Sequence, residues 1–146
     1  WVDHTDLRPT ILTLSGLGDD YSHDGRAITE ILDAKAVPQS LRAHRETLER
    51  LAAAYKQINA PLGRFGLDVI TISDTAVRSM NEARYAQLSS ALQQLSDERD
   101  MIAARMRTLL EQASFGNASI DQQEAKRLIA QANALLARAD ATAASP

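Results

Sequence analysis

The chain of 146 residues has no cysteine, which excludes disulfides, thiolate metal sites and cysteine nucleophiles. Aromatic residues supply only 4% of it, too few for a typical β-sandwich core, while abundant alanine favours closely packed helices. No run approaches the roughly 18 apolar residues that a membrane-spanning helix needs, which excludes membrane insertion. Charge of one sign is also missing. The formal net charge is -3 and no Lys/Arg cluster stands out, which excludes a strongly basic nucleic-acid binder. The hydrophobic and charged fractions, 45% and 24%, are those of an ordinary globular chain. Four prolines and six glycines give little punctuation, and most of it falls between long helical patterns.

The longest pattern runs from Tyr85 to Ala113. Tyr85, Leu88, Leu92, Leu95, Arg99, Ile102, Met106, Leu109 and Ala113 recur at alternating steps of three and four, the spacing of a helix seam broken only by Arg99. This helix is expected to continue to Ser114 and to span about 45 Å. A second helix is predicted from Pro38 or Ser40 to Asn59, with Leu41, His44, Leu48, Leu51, Tyr55 and Ile58 on one face, ending at Pro61 and Gly63. Leu67 to Ser79 could alternate as a strand, but no second strand is available to pair with it, so helix is expected. The stripe changes phase at Met80 to Glu82, which predicts a break. After a turn at Gly116 and Asn117, Ser119 and Gln122 have the spacing of a capping box for a last helix carrying Ile120, Leu128, Ile129, Ala132, Leu135 and Leu136 and ending near Ala139. Residues 141–146 are small and polar and are expected to form a disordered tail. A short connection should send the last helix back along the second half of the long one. That arrangement leaves the first half for the Leu41–Ile58 helix.

The first 33 residues differ in texture. Thr5 or Asp6 can cap a helix with Pro9 in its first turn, an apolar side of Leu7, Ile11, Leu12 and Leu14, and Gly16 and Gly18 as stops. The polar loop GDDYSHDG follows, then a short helix with Ile28, Ile31 and Leu32. The order Asp6, Leu7, Pro9, Thr10 and Gly16, then Asp24, Gly25 and Arg26, resembles the C-terminal end of the catalytic domain in the alkaline phosphatase/sulfatase superfamily. The match covers residues 2–32. It implies that the nucleophile and the metal-binding Asp and His residues, with their divalent metal, lie upstream. It also implies that residues 1–33 are the last strip of an α/β catalytic domain, residues 37–140 a helical accessory bundle, and the parent protein an exported (secreted or cell-envelope) ester hydrolase. The first residue is Trp and no leader precedes it, as expected of a piece of a longer protein.

The expected fold is therefore all-α, an elongated antiparallel helical bundle with an N-terminal segment left over from an α/β domain. No catalytic, cofactor-binding or metal-binding residue is assigned within this chain. Asp3-His4 offers two donors where a metal site needs three or four. Asp19, Asp20, His23 and Asp24 lack the EF-hand spacing and read as a solvated turn with Asp24 as a cap. The Gly16-Leu17-Gly18 pair of glycines follows a helix rather than a strand and is no dinucleotide fingerprint. His44 reads as a seam histidine. Arg99 is expected to meet a carboxylate on a facing helix, to bury its stem with its head in water, or to contact an upstream catalytic domain. Asn117-Ala118-Ser119 fits the glycosylation pattern. The implied partners are the chain's own upstream catalytic domain and a second copy through the helical seam. The competing reading is a self-contained helical scaffold with no enzymatic link.

Overall fold

A computed structural model describes residues 1–33, 35, 37, 39–116 and 118–145. The protein is 74% helical, with no strand among the described residues. Among the described residues six α-helices follow in order: α1 (Leu7–Ser15), α2 (Gln39–Arg42), α3 (Arg45–Asn59), α4 (Arg64–Arg78), α5 (Glu82–Ser114) and α6 (Gln122–Ala143). Single 3-10 turns precede α1 (His4–Asp6) and follow the polar loop (Thr29–Ile31). The expected all-α helical bundle is what forms. Its surface, 8285 Å², exceeds the roughly 7,350 Å² of a compact monomer of this mass, as a bundle drawn out along one long helix should.

The 33 residues of α5 make a rod of about 50 Å. Leu88, Leu95, Ile102, Met106, Leu109 and Ala113 of the seam are buried, together with Ala103 and Leu110 beside it. Tyr85 is exposed and Leu92 only partly buried, so the seam is narrower at its start than its spacing suggests. The seam is consumed inside the chain: α3, α4 and α6 all pack on α5 and on one another. It is therefore not free to hold a second copy.

The helices cover α5 the other way round from the expectation. Arg84 Nη2 donates to the Ser145 carbonyl at 3.3 Å, Arg138 pairs with Glu98 at 2.5 Å, and Arg105 meets Glu124 at 3.1 Å. α6 thus runs antiparallel along the first two-thirds of α5. α3 and its approach lie against the last third, where Ser40 Oγ donates to the Ala113 carbonyl at 3.1 Å. The loop before α6 folds back far enough to shift the helix toward the start of α5, a displacement that loop length alone does not reveal.

Boundaries moved where local polar chemistry overrode periodicity. The expected helix to Asn59 is broken at His44 (φ -139, ψ 43), which ends α2 and begins α3 instead of sitting on a seam. Arg45 Nη2, donating to the carbonyls of Thr29 (2.6 Å) and Leu32 (3.3 Å), pins the chain at this break. The expected start at Pro38 lies outside the described residues. The helix expected at Leu67–Ser79 is present as α4, with Ile72 and Ala76 buried, and the break falls at residues 79–81, one residue before the expected Met80 to Glu82. Met80 sits there at φ 47 and is 98% exposed, so the buried stripe of α4 stops at Ala76. Asp121, not Ser119, caps α6: its carboxylate accepts from the N–H groups of Gln123 (2.9 Å) and Glu124 (3.0 Å). α6 continues past Ala139 to Ala143, so the expected disorder does not begin at residue 141. The turn at Asn117 and the final Pro146 lie outside the described residues.

The apolar core is drawn from Val37 to Ala139, with Leu32 packed at its edge. The first 31 residues are not part of that cluster. Polar bonds tie them to the bundle, beside limited apolar contact such as that of His23 with Phe115.

Candidate functional site

Those polar bonds converge on Asp6, which is fully buried. Asp3 caps the turn before α1: its Oδ1 accepts from Thr5 N–H at 2.9 Å, and the Asp3 N–H donates to Asp6 Oδ2 at 3.0 Å. This reciprocal cap begins at Asp3, not at Thr5 or Asp6, because two carboxylates three residues apart can each reach the other's turn. Asp6 Oδ1 then accepts from Arg26 N–H at 2.9 Å and from Lys56 Nζ on α3 at 3.0 Å. Lys56 is 1% exposed and also donates to Asp3 Oδ2 at 2.8 Å. Burial pushes the Asp3 carboxyl up, but the bonds and charge of Lys56 with the two bonds from Thr5 outweigh it and hold it at about 2.

A second clamp lies one turn along. Thr10 Oγ1 donates to the Asp6 carbonyl at 2.6 Å and accepts from Ile28 N–H at 2.9 Å. Between the clamps, Gly25 passes so close to α1 that an added Cβ would stand 2.1 Å from the Thr5 carbonyl oxygen. Arg26 is buried, bonded to the Glu30 carboxylate and to the carbonyls of Ala27 (3.3 Å) and Trp1 (3.4 Å). Glu30 is held below its ordinary range: burial opposes this, and the Arg26 guanidinium prevails. The Asp-Leu-x-Pro-Thr and Asp-Gly-Arg segments thus close on each other, and α1 ends at Gly16 in the left-handed conformation (φ 64).

The arrangement is a lock without room for a ligand. The void beside Gly25 and Arg26, against Leu110 and Phe115, holds about 10 Å³, far below the roughly 300 Å³ of a small-molecule site. Tyr55 extends the lock: its hydroxyl donates to the Asp24 carbonyl at 3.2 Å and accepts from Asn59 Nδ2 at 2.8 Å. Burial pushes that phenol up to about 12.

No family model, curated protein or solved structure matches this chain.

The other sequence candidates are placed by the fold as follows. Asp3 serves the lock and His4 faces solvent. Asp19 closes the polar loop, accepting from Tyr21 N–H (3.0 Å) and Arg8 Nη2 (2.5 Å), with His23 Nε2 at 3.3 Å. These contacts, led by the Tyr21 bond, hold its carboxyl below the ordinary range. His23 is buried with its ring 5.7 Å from that of Phe115, and its N–H donates to Glu111 at 3.1 Å. Asp24 caps no helix; its side chain is largely exposed, 3.7 Å from Arg107. Asp20 takes no part. Among the described residues no three His, Asp or Glu side chains converge as a metal site would need. His44 lies beside Gln122 Nε2 at 3.1 Å on the surface. Arg99 meets no carboxylate on a facing helix: its guanidinium lies 5.7 Å from the Phe65 ring centroid of α4, and Nε stands 3.0 Å from the neighbouring Asp100. Asn117 lies outside the described residues.

Lys56 is the residue that sequence reasoning missed. It sits beside Tyr55 on an apolar flank, in LAAAYKQI, and that setting was the only signal. An open groove of about 550 Å³ between the start of α5 and the end of α6 is floored by Leu88 and Leu95 and rimmed by Arg84, Glu98 and Arg138. Its two lining hydroxyls, Thr142 and Ser145, donate to the backbone carbonyls of Arg138 and Ala141.

Proposed function

We propose that this chain is the non-catalytic C-terminal region of a phosphatase/sulfatase-like metallo-hydrolase, serving that enzyme as an accessory, spacer or assembly module. The observation that carries the reading is the two-faced character of the N-terminal strip. Its inward side is Pro9, Thr10 and Thr13, all buried, and the turn before it is tied to Lys56 of α3 through Asp3 and Asp6. Its outward side presents Leu7, Ile11 and Leu14 of α1, with Leu17 and Ile31, to solvent. An apolar face of this size on a strip that buries few apolar residues of its own, Pro9, Ala27 and Ile28 among them, suits the edge of a larger domain. Asp6, Thr10, Gly25 and Arg26, four of the residues that carry the family resemblance, are also those that interlock, which gives them a physical task independent of chemistry. The nucleophile and the divalent metal belong, on this reading, to the upstream domain. That domain is the expected partner, and the assembled enzyme would act outside the cytoplasm.

Two experiments test this. The coding sequence upstream of Trp1 should carry a Thr or Ser nucleophile with Asp and His metal motifs, and a reading frame without them overturns the proposal. The chain alone, given p-nitrophenyl phosphate or p-nitrophenyl sulfate and zinc, should show no turnover; real turnover would equally sink it. A self-contained scaffold is favoured by one observation, the burial of Lys56 between strip and bundle. That alternative predicts that Leu7→Glu and Ile11→Glu leave every property of the full-length gene product intact.

A further inference from the structure

The strip and the bundle are held by different forces. Helices α3 to α6 share one continuous apolar core, whereas the strip buries few apolar residues, Pro9, Ala27 and Ile28 among them. Its polar attachments to the bundle sit at opposite ends of its sequence. At one end Lys56 Nζ of α3 donates to Asp3 at 2.8 Å and to Asp6 at 3.0 Å. At the other, His23 N–H donates to Glu111 of α5 at 3.1 Å, and the Tyr55 hydroxyl donates to the Asp24 carbonyl at 3.2 Å. Lys56 and Asp6 are 1% and 0% exposed. Taking two such ions out of water costs about as much as their attraction returns, so a contact made of them holds by a narrow margin. Apolar burial carries no such offset. Where the strip leaves for the bundle, Arg45 Nη2 donates to the carbonyls of Thr29 and Leu32 and fixes that exit to α3.

We propose that residues 1–28 are a strap that lifts from the bundle as one unit while α3 to α6 stay folded, with the Arg45 pin at residues 29–32 as its root. The attachments depend on one another. Arg26 N–H is bonded to Asp6 at 2.9 Å, and Gly25 lies against the Thr5 carbonyl, so withdrawing Asp6 from Lys56 also withdraws the segment that carries His23 and Asp24. Once lifted, the strap has too little apolar burial to offset the entropy of staying ordered, so detachment and local unfolding are one event. Lys56 is thereby a gated amine, withheld from solvent by the docked strap and bared by the lifted one. The inference does not rest on the enzymatic reading above.

The test is pulsed acetylation of the full chain with N-hydroxysuccinimidyl acetate under native conditions, read by peptide mass spectrometry beside amide hydrogen exchange. Lys35 and Lys126 are exposed and set the unhindered rate of acetylation. Lys56 should label roughly 1,000-fold more slowly than Lys126, and the His23 amide should be slowed from its unprotected rate by the same factor within about threefold. The amides of Leu51 and Leu135, fully buried in the core, should be slowed by at least a further factor of about 100, because they wait for global unfolding. Tyr55→Phe removes one bond between strap and bundle and should speed Lys56 and His23 together by roughly 2- to 10-fold. Ile102→Val, a mild change in the core away from the strap, should speed Leu51 and Leu135 roughly fivefold and leave Lys56 and His23 unchanged. Labelling of Lys56 no faster than the opening of Leu51 and Leu135 overturns the proposal, as does labelling as fast as that of Lys126. So does a larger mismatch between Lys56 and His23, or an Ile102→Val variant that speeds Lys56 as much as the core.

Discussion

Replacing Lys56 with Met tests the lock most directly. Met has nearly the length of the lysine stem, so the substitution removes the ammonium while filling most of the space. Nζ is bonded to Asp3 at 2.8 Å and Asp6 at 3.0 Å, and Asp6 is fully buried. Removing one partner of a buried ion pair leaves the other charge uncompensated and typically costs about 3–5 kcal/mol. The two N–H groups that Asp6 retains, from Asp3 and Arg26, argue for the lower half of that range. For a chain of this size about 3 kcal/mol lowers Tm by roughly 10 °C. The pH dependence supplies a second readout. Asp3 is held at about 2 in the folded protein, below its unfolded value of 3.8. A depressed carboxylate contributes stability that is complete above the unfolded value and is lost as pH falls toward the folded one. The native chain should therefore lose stability between about pH 4 and 2, and Lys56→Met should lose less over the same window because its Asp3 has less to give up. Differential scanning calorimetry at pH 7, 4 and 2 measures both. A Tm at pH 7 within 2 °C of the native value, or an acid limb as steep as the native one, would refute the reasoning.

Two further substitutions probe the same architecture. Gly25→Ala drives a methyl into the Thr5 carbonyl and should cost about 3 kcal/mol in urea unfolding, with residues 1–33 becoming sensitive to protease; an undisturbed strip would show that α1 can retreat. Leu51→Ala, at a fully buried position, should cost about 3–5 kcal/mol, whereas Leu92→Ala, only partly buried on the seam of α5, should cost under about 1.5 kcal/mol; equal costs would contradict the burial pattern.

The sequence was informative wherever a single helix and its nearest turn decide the outcome. The apolar stripe of α5, the helix at α4 and the break before Glu82 all follow from periodicity, because three-four spacing can be buried only on one side of a helix. Caps were less legible. Ser119 has the right spacing for a box, yet Asp121 holds the α6 terminus, since which side chain turns inward depends on where the preceding loop is anchored. His44 lay on a continuous stripe, but Arg45 bonding to Thr29 and Leu32 breaks the helix there.

Composition and local pattern thus determined that the protein is helical, which residues of its long rod face inward, and that residues 1–33 differ from the rest. Only the tertiary structure decided which helix covers which half of α5, that Arg99 lies over Phe65, and that Lys56 crosses between bundle and strip to pair with Asp3 and Asp6. The reason is range. Periodicity reports contacts within one or two turns, whereas Lys56 and Asp6 stand 50 residues apart and their burial together is favourable only once α3 and α1 have been brought side by side.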